Sequence, residues 1–588
     1  MKKIPYLALD TETDSLDPHS CKLKIVTASY VEDDSVVDLF FRYPEQLPEV
    51  QALVDRADSL VYWNAKYDIP VLSRHGVKID LPYHDALLYW RTLRTDLPSY
   101  SLKYISRKVL YDMYQEEYDL KDWLKKNKTD KFTDAPDEIL RPYAVKDSRN
   151  TITLFHLAQN LLDEDSNREA KQGTLDLEHE VQKVVLQMEK DGIWLDLPRC
   201  YDLYDLSRDK AAASLARCRE LTNPKFKPLS PKQIREFIYD EENRPTRFTP
   251  KGSPSTDIMA MKAVIDLRAG SDVAKLCSEV LVYRAYSKAA NTYFKNFIEM
   301  SDSWGVLRCS LNQAGTKTGR FSCSRPNLQN VPKPDEYGDE EKVLLMAREA
   351  FIPRPGYCLC FIDYDQVELR MGAHFADEAH MIADIWDGKD LHDETAKRLF
   401  GVTKDSPDWS LRRRQSKTLN FAVFYGIGPV KFADQLLKMT GKVVSEEEAR
   451  AMIKAYKEIY PGIAQLFTDV DIQVQRFGYV QNFYGRVMAV EKRKAYKGVN
   501  YTIQSSSADL MKLKMVECNE FLRDKKSRLL LTVHDELIFE LHKTELDLGP
   551  QLRSIMEDRE SFKVPITCSL EYGMRWSSKA EELPKEVA

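Results

Sequence analysis

The stretch 410–426, SLRRRQSKTLNFAVFYG, sets Arg413, Lys417, Phe421 and Tyr425 at successive i+4 steps, along one face of a helix. That face is cationic at its start and aromatic at its end. A polyphosphate can lie against Arg413 and Lys417 while a base stacks near Phe421 and Tyr425. The blander reading makes the two aromatics core residues and the arginines a solvated patch. The two readings put the same face in opposite environments.

At 588 residues the chain is too long for one core and divides into several domains. A hydrophobic content of 43% and a charged content of 30% describe an ordinary globular protein. No apolar run approaches membrane-spanning length. Asp10 and Glu12 arrive before a secretory apolar segment can form, so a cytoplasmic protein is expected. The ten cysteines are scattered without a CxxC pair, which indicates neither a zinc site nor a disulfide framework. A net charge of −6 argues mildly against a nucleic-acid partner, but local fields differ from the sum. Residues 305–333 carry Arg308, Lys317, Arg320, Arg325 and Lys333 with no acid. Residues 411–443 carry Arg412, Arg413, Arg414, Lys417, Lys431, Lys438 and Lys442 against Asp434 alone. Such segments can hold a phosphate backbone.

The N-terminal part reads as an α/β unit, with strands at 5–12, 25–31 and 36–41 and helix from about 137. A helix over 174–190 ends before Gly192, and 197–300 is mostly charged helical pattern. An apolar strand follows at 358–365, helices dominate 375–475, and 529–541 reads as a hairpin. Asp10 and Glu12 lie two apart on the first strand, so their carboxylates face the same way. Such a pair repels unless a cation is present, and oxygen-only ligands suit Mg²⁺ or Mn²⁺. With Asp68 and Asp147 the unit has four carboxylates, enough for two metals, and Tyr143 lies one helical turn before Asp147 to orient an attacking water. In the C-terminal half, Asp363 closes an apolar strand and Asp535 tips the hairpin; paired in one sheet, the two would also hold two metals for phosphoryl transfer.

DYDQVELR at 363–370, RRQSKTLNFAVFYG at 413–426 and VHDE at 533–536 resemble the three polymerase motifs of family A DNA polymerases, the bacterial polymerase I type. TGRFSCSRPNLQNVP at 318–332, DLHDETA at 390–396 and NYTIQSSSADLMK at 500–512 are similar to further family segments. DTETDSLDP, NAKYD and YAVKD resemble the three motifs of the attached 3′–5′ proofreading exonuclease. The resemblance implies an α/β and α+β multidomain fold. A ribonuclease-H-like exonuclease domain at 1–173 would precede a right-hand polymerase domain at 174–588. Its thumb would take about 197–300, its palm about 301–380 and 510–588, and its fingers about 381–509. By the same resemblance Asp363, Asp535 and the Tyr364 carbonyl would hold metal, with Glu536 completing the catalytic motif. Asp10, Glu12 and Asp147 would hold the exonuclease metals, two Mg²⁺ per site, with Mn²⁺ as the alternative. Arg413 and Lys417 would grip the triphosphate, Lys417 would protonate the leaving pyrophosphate, and His392 would touch the phosphates. Phe421, Tyr425 and Gln366 would form the nucleotide pocket, and Glu368 would exclude a ribose 2′-hydroxyl. Phe421, having no phenol, implies discrimination against sugars lacking a 3′-hydroxyl. Arg320, Asn327, Gln329, Asn500, Gln504 and His534 would contact DNA.

Three positions depart from the family pattern: Asp365 replaces serine, Ser505 replaces glycine, and Tyr496 stands where an arginine is usual, with Lys497 beside it. The expected form is compact and phage-like, without a 5′ nuclease domain and active as a monomer. The partners implied are primer–template DNA and dNTPs, with no membrane; a replisome or processivity factor stays unidentified. A binding module with a decayed centre would not keep every acid. A nuclease alone would leave the C-terminal half to present DNA, and a single-subunit RNA polymerase would not keep Glu368 as a 2′-hydroxyl gate.

Overall fold

The protein is described by a computed structural model covering residues 2–240, 244–245, 247–249, 251–332, 342–440, 444–580 and 582–583. Lys333 and Lys442 of the basic segments lie outside the described residues. The chain forms two compact units. The first comprises Met1–Lys190, Gln313–Phe321 and Gly462–Val516, and the second comprises Asp191–Asn312, Ser322–Pro461 and Glu517–Ala588.

In the first unit, strands β1 (Ile4–Thr13), β2 (Leu23–Glu32), β3 (Ser35–Arg42), β4 (Ala57–Tyr62) and β5 (Tyr83–Asp85) form one sheet in the order β3-β2-β1-β4-β5. The β1–β2 and β2–β3 pairs are antiparallel, whereas β4 and β5 run parallel to β1. This is the ribonuclease-H-like arrangement. A long helix, Asp137–Asp163, packs on the sheet through Ala144, Ser148 and Ile152. Two polar contacts fix its rotation: Thr27 Oγ1 donates to the Ala144 carbonyl at 3.2 Å, and the Ser29 and Ser148 hydroxyls lie 2.9 Å apart. Both are buried, so each would be costly to leave unmade. The helix Arg168–Asp191 begins earlier than its apolar periodicity suggested, and Gly192 just beyond it takes φ +63°.

In the second unit a four-stranded antiparallel sheet runs in the order Arg528–Val533, Glu536–His542, Tyr357–Tyr364, Cys568–Gly573. Its strand Tyr357–Tyr364 is buried on both faces over Cys358–Ile362, which explains the unbroken apolar run CLCFI. The hairpin turns at His534 and Asp535, and His534 takes φ +57°, as the first position of such a tight turn requires. Helices Leu197–Glu220 and Asp272–Lys288 pack together as a long pair. Helices Leu391–Phe400 and Trp409–Phe424 form another pair, joined by Thr395 Oγ1 to Asn420 Oδ1 at 3.1 Å. The latter helix also lies against Val367–Ala376, where Gly372 leaves space: a Cβ there would sit 2.6 Å from Phe424 Cζ. All ten cysteines are free and buried, and among the described residues no helix is long and apolar enough to cross a membrane.

Candidate active sites

In the first unit, alternation along β1 puts Asp10 and Glu12 on one face, and the rotation of Asp137–Asp163 turns Asp147 towards them. Carboxylate oxygens of Asp10, Glu12 and Asp147 all come within 4.8 Å of one another. Asp68 is outside this trio; its Oδ1 accepts from Thr11 Oγ1 at 2.7 Å. Burial, followed by repulsion from Asp68, Asp147 and Glu12, pushes the Asp10 carboxyl well above its ordinary range. Burial likewise raises Glu12 to about 8, Asp68 to about 7 and Asp147 to about 6. Asp147 Oδ1 is buried with no hydrogen-bond partner among the described residues. Converging, desolvated, mutually repelling oxygens of this kind fit a hard divalent cation.

Tyr143 lies one turn before Asp147, as its spacing predicts, and is almost fully buried. Its hydroxyl accepts from Lys103 Nζ at 2.6 Å. Lys103 carries no signal in the sequence: it sits in the short helix Leu102–Ile105, capped by Ser101. The structure makes it the cation that lowers the carboxyl pKa values of Asp10, Glu12 and Asp147 against burial.

In the second unit, strand pairing brings the two C-terminal acids to one edge. Asp363 is in register with Glu536, and the Tyr364 amide donates to the Asp535 carbonyl at 3.1 Å. Asp363 and Asp535 are both half-buried. Glu536 is fully buried and ion-paired with Lys579, whose Nζ also lies 4.4 Å from the Phe361 ring centroid. Neither Lys579 nor this inward direction of Glu536 was legible in the motif. The Tyr364 hydroxyl donates to the Met556 carbonyl at 2.9 Å. The departing acid Asp365 is occupied by Thr567, whose Oγ1 donates to its Oδ2 at 2.7 Å.

The helix Trp409–Phe424 settles which face is core. Gln415, Ser416, Leu419, Ala422 and Val423 are buried, whereas Arg413, Phe421 and Tyr425 are half-exposed and Lys417 is exposed. Tyr425 directly follows the last helical residue, and its hydroxyl donates to Glu368 Oε2 at 2.7 Å. Phe421 faces His392, with ring centroids 5.8 Å apart. His392 is buried beside Asn420 Nδ2 at 2.9 Å, and burial pulls its pKa to about 4, so the imidazole is neutral near pH 7. Arg413 is ion-paired with Asp390 and Asp393, acids outside the basic window read from the sequence. Gln366 takes φ +51° and its Nε2 reaches Asp390 Oδ2 at 3.4 Å.

Of the residues expected on DNA, Asn327 and His534 are exposed and Gln329 Nε2 donates to the Thr532 carbonyl at 3.4 Å, all in the second unit. Arg320, Asn500 and Gln504 are half-exposed and belong to the first unit. Asn500 and Gln504 lie one turn apart on the helix Lys497–Phe521, and Tyr496, just before it, is exposed. The buried face of that helix carries a charge network that sequence reasoning missed. Arg486 grips Asp509 (Nη2–Oδ1 2.7 Å, Nε–Oδ2 2.9 Å), and both Arg486 and Lys512 donate to Glu178 Oε1. Gly319, at φ +76°, makes room for this arginine: a Cβ would lie 2.9 Å from Arg486 Cζ.

Comparison with known proteins covers both units. The model of DNA polymerase family A matches residues 202–578, and that of a 3′-5′ exonuclease matches residues 1–163. The chain is 28% identical to DNA polymerase I of Borreliella burgdorferi over 98% of its own length and 63% of that protein's. It is 29% identical to DNA polymerase I of Chloroflexus aurantiacus over 98% of its own length and 62% of that protein's. It is also 30% identical to the thermostable DNA polymerase I of Thermus aquaticus, over 69% of this chain and 48% of that one. The chain thus spans about three-fifths of the length of the first two curated relatives. Among solved structures, the POL domain of Pol1 from M. smegmatis, complexed with DNA primer-template and dNTP, has the same fold. Its TM-score is 0.79 at 22% identity, covering 97% of this chain and 95% of that one.

Proposed function

The chain belongs to DNA polymerase family A, whose polymerase and exonuclease domains are metal-dependent, and from that premise we propose that it extends a primer 3′ end with dNTPs on a DNA template and removes misincorporated nucleotides by 3′–5′ hydrolysis. The observation that carries the reading is the pairing that brings Asp363 beside the Asp535 hairpin, in the unit that also presents the Arg413–Lys417–Phe421–Tyr425 face. Residues 1–173 are assigned to exonuclease and 174–588 to polymerase, with thumb, palm and fingers as the family resemblance divides them.

Asp363, Asp535 and the Tyr364 carbonyl would hold Mg²⁺ at the polymerase site, and Asp10, Glu12 and Asp147 would hold it at the exonuclease site, two ions in each. Bound there, the metal supplies Lewis-acid activation of the attacking oxygen and stabilises charge on the phosphoryl group. Arg413 and Lys417 bind the triphosphate, and Lys417 passes a proton to the departing pyrophosphate. Phe421 and Tyr425 stack against the nucleotide, while Glu368, held by the Tyr425 hydroxyl, blocks a 2′-hydroxyl. At the hydrolytic site Tyr143, held by Lys103, orients the attacking water. Glu536, paired to Lys579, acts by shaping the palm edge rather than as a ligand.

The test is a labelled primer–template incubated with Mg²⁺, with and without dNTPs, for wild type, Asp535→Ala and Asp10→Ala/Glu12→Ala. The expected result is lengthening with dNTPs and shortening without them, with the first variant losing only lengthening and the second only shortening. Primer extension retained by Asp535→Ala overturns the polymerase-site assignment.

A further inference from the structure

The guanidinium assigned to the triphosphate already has anionic partners within its own unit. Arg413 Nη2 donates to Asp390 Oδ2 at 3.2 Å, and its Nε donates to Asp393 Oδ1. Asp390 is fixed in place as the cap of the helix Leu391–Phe400, accepting from the His392 and Asp393 amides at 2.8 and 2.9 Å. Asp393 is largely buried, its side chain 11% exposed against 38% for Arg413, and its other oxygen lies 3.4 Å from Lys404 Nζ. Two carboxylates thus occupy donors that a phosphate would use. An arginine fork recognises carboxylate and phosphate with the same N–H groups, so the two anions compete for it.

We propose that Asp393, seconded by Asp390, is an internal competitor for the nucleotide triphosphate: it holds Arg413 until an incoming dNTP displaces it, and so sets the dNTP concentration at which the site fills. The inference rests on the assignment of Arg413 to the triphosphate. A ligand that must first release a competing partner binds more weakly by the fraction of free binding site, so removing the competitor tightens binding without touching the chemical step. Asp393 is the one to alter, because Asp390 also caps the helix.

The experiment measures single-nucleotide dTTP incorporation on a primer–template, with inorganic pyrophosphate as a second probe. Asp393→Asn keeps the side-chain shape and removes the charge. The expected result is a KM for dTTP lowered about three- to tenfold with kcat unchanged, the size of one partly exposed charge-assisted pair. Pyrophosphate inhibition should tighten by a similar factor, and both effects should shrink with added salt. Arg413→Ala should raise KM, and adding Asp393→Asn to it should change nothing further. An unchanged or raised KM in Asp393→Asn, with Arg413→Ala still raising KM, overturns the competitor while leaving the triphosphate assignment intact. An Arg413→Ala variant with wild-type KM overturns that assignment, and the competitor with it.

Discussion

Replacing Glu178 by Gln should destabilise the first unit by about 3–4 kcal/mol near pH 7, the cost of leaving a buried charge without its partner. The charges concerned are well defined. Glu178 Oε1 accepts from both Arg486 and Lys512, and Oε2 has no hydrogen-bond partner among the described residues. Arg486 keeps Asp509 in the variant, so its share of the loss is small. Lys512 is the charge left stranded: its side chain is 0% exposed. Burial already pulls its pKa down, with Glu178 acting against that pull. Without the carboxylate its cheapest escape is to fold as the neutral amine. From an unfolded value of about 10.4, deprotonation at pH 7 costs about 4.6 kcal/mol, which caps the loss. The unfolded state then binds one proton more than the folded state, so stability of the variant rises with pH by up to about 1.4 kcal/mol per unit. The deficit relative to wild type should therefore shrink between about pH 7 and about pH 9. Urea denaturation followed by far-ultraviolet circular dichroism, supported by hydrogen exchange in the helix Lys497–Phe521, measures it. Adding Lys512→Met should restore most of the loss, since it removes the stranded charge. A loss under about 1 kcal/mol, or no recovery with Lys512→Met, would show that Lys512 is not stranded by the loss of Glu178.

Removing the Lys103 ammonium with Lys103→Met should slow hydrolysis of single-stranded DNA about 10- to 100-fold and move its pH profile upward, leaving dNTP incorporation unchanged; a wild-type rate and profile would exclude that role. The raised carboxyls of Glu12, Asp68 and Asp147 keep protons that the unfolded chain has lost, so in metal-free buffer stability should fall as pH rises from about 4 through about 8. Mg²⁺ should reverse this, its effect on the melting temperature growing between about pH 6 and about pH 8, and a pH-independent effect would count against cation binding by the trio. Phe421→Tyr should relax discrimination against dideoxynucleotides by about tenfold or more, the worth of one added hydrogen bond, as read from competing ddNTP and dNTP incorporation. Glu368→Ala should raise rNTP incorporation about tenfold or more and leave the Tyr425 hydroxyl without its acceptor; unchanged sugar selectivity would remove Glu368 from the gate.

Backbone periodicity by itself determined a good deal of this protein. The i+4 spacing of Arg413, Lys417, Phe421 and Tyr425 forces one helix face, and the structure keeps that face accessible while Leu419, Ala422 and Val423 are buried. The spacing of Asp10 and Glu12 forces one side of a strand, and CLCFI with its following acid reads as a buried strand with a polar end. Local steric geometry dictates such features, so they survive without knowledge of the fold. Tertiary structure alone decided the partners. Asp363 meets the Asp535 hairpin through strand pairing, Arg413 meets Asp393 across a helix pair, and Glu178 holds an arginine and a lysine more than 300 positions further along. Lys103 on Tyr143 and Lys579 on Glu536 follow the same logic. A charge's effect depends on distance and desolvation in space, and neither quantity is written in the spacing of residues along a chain.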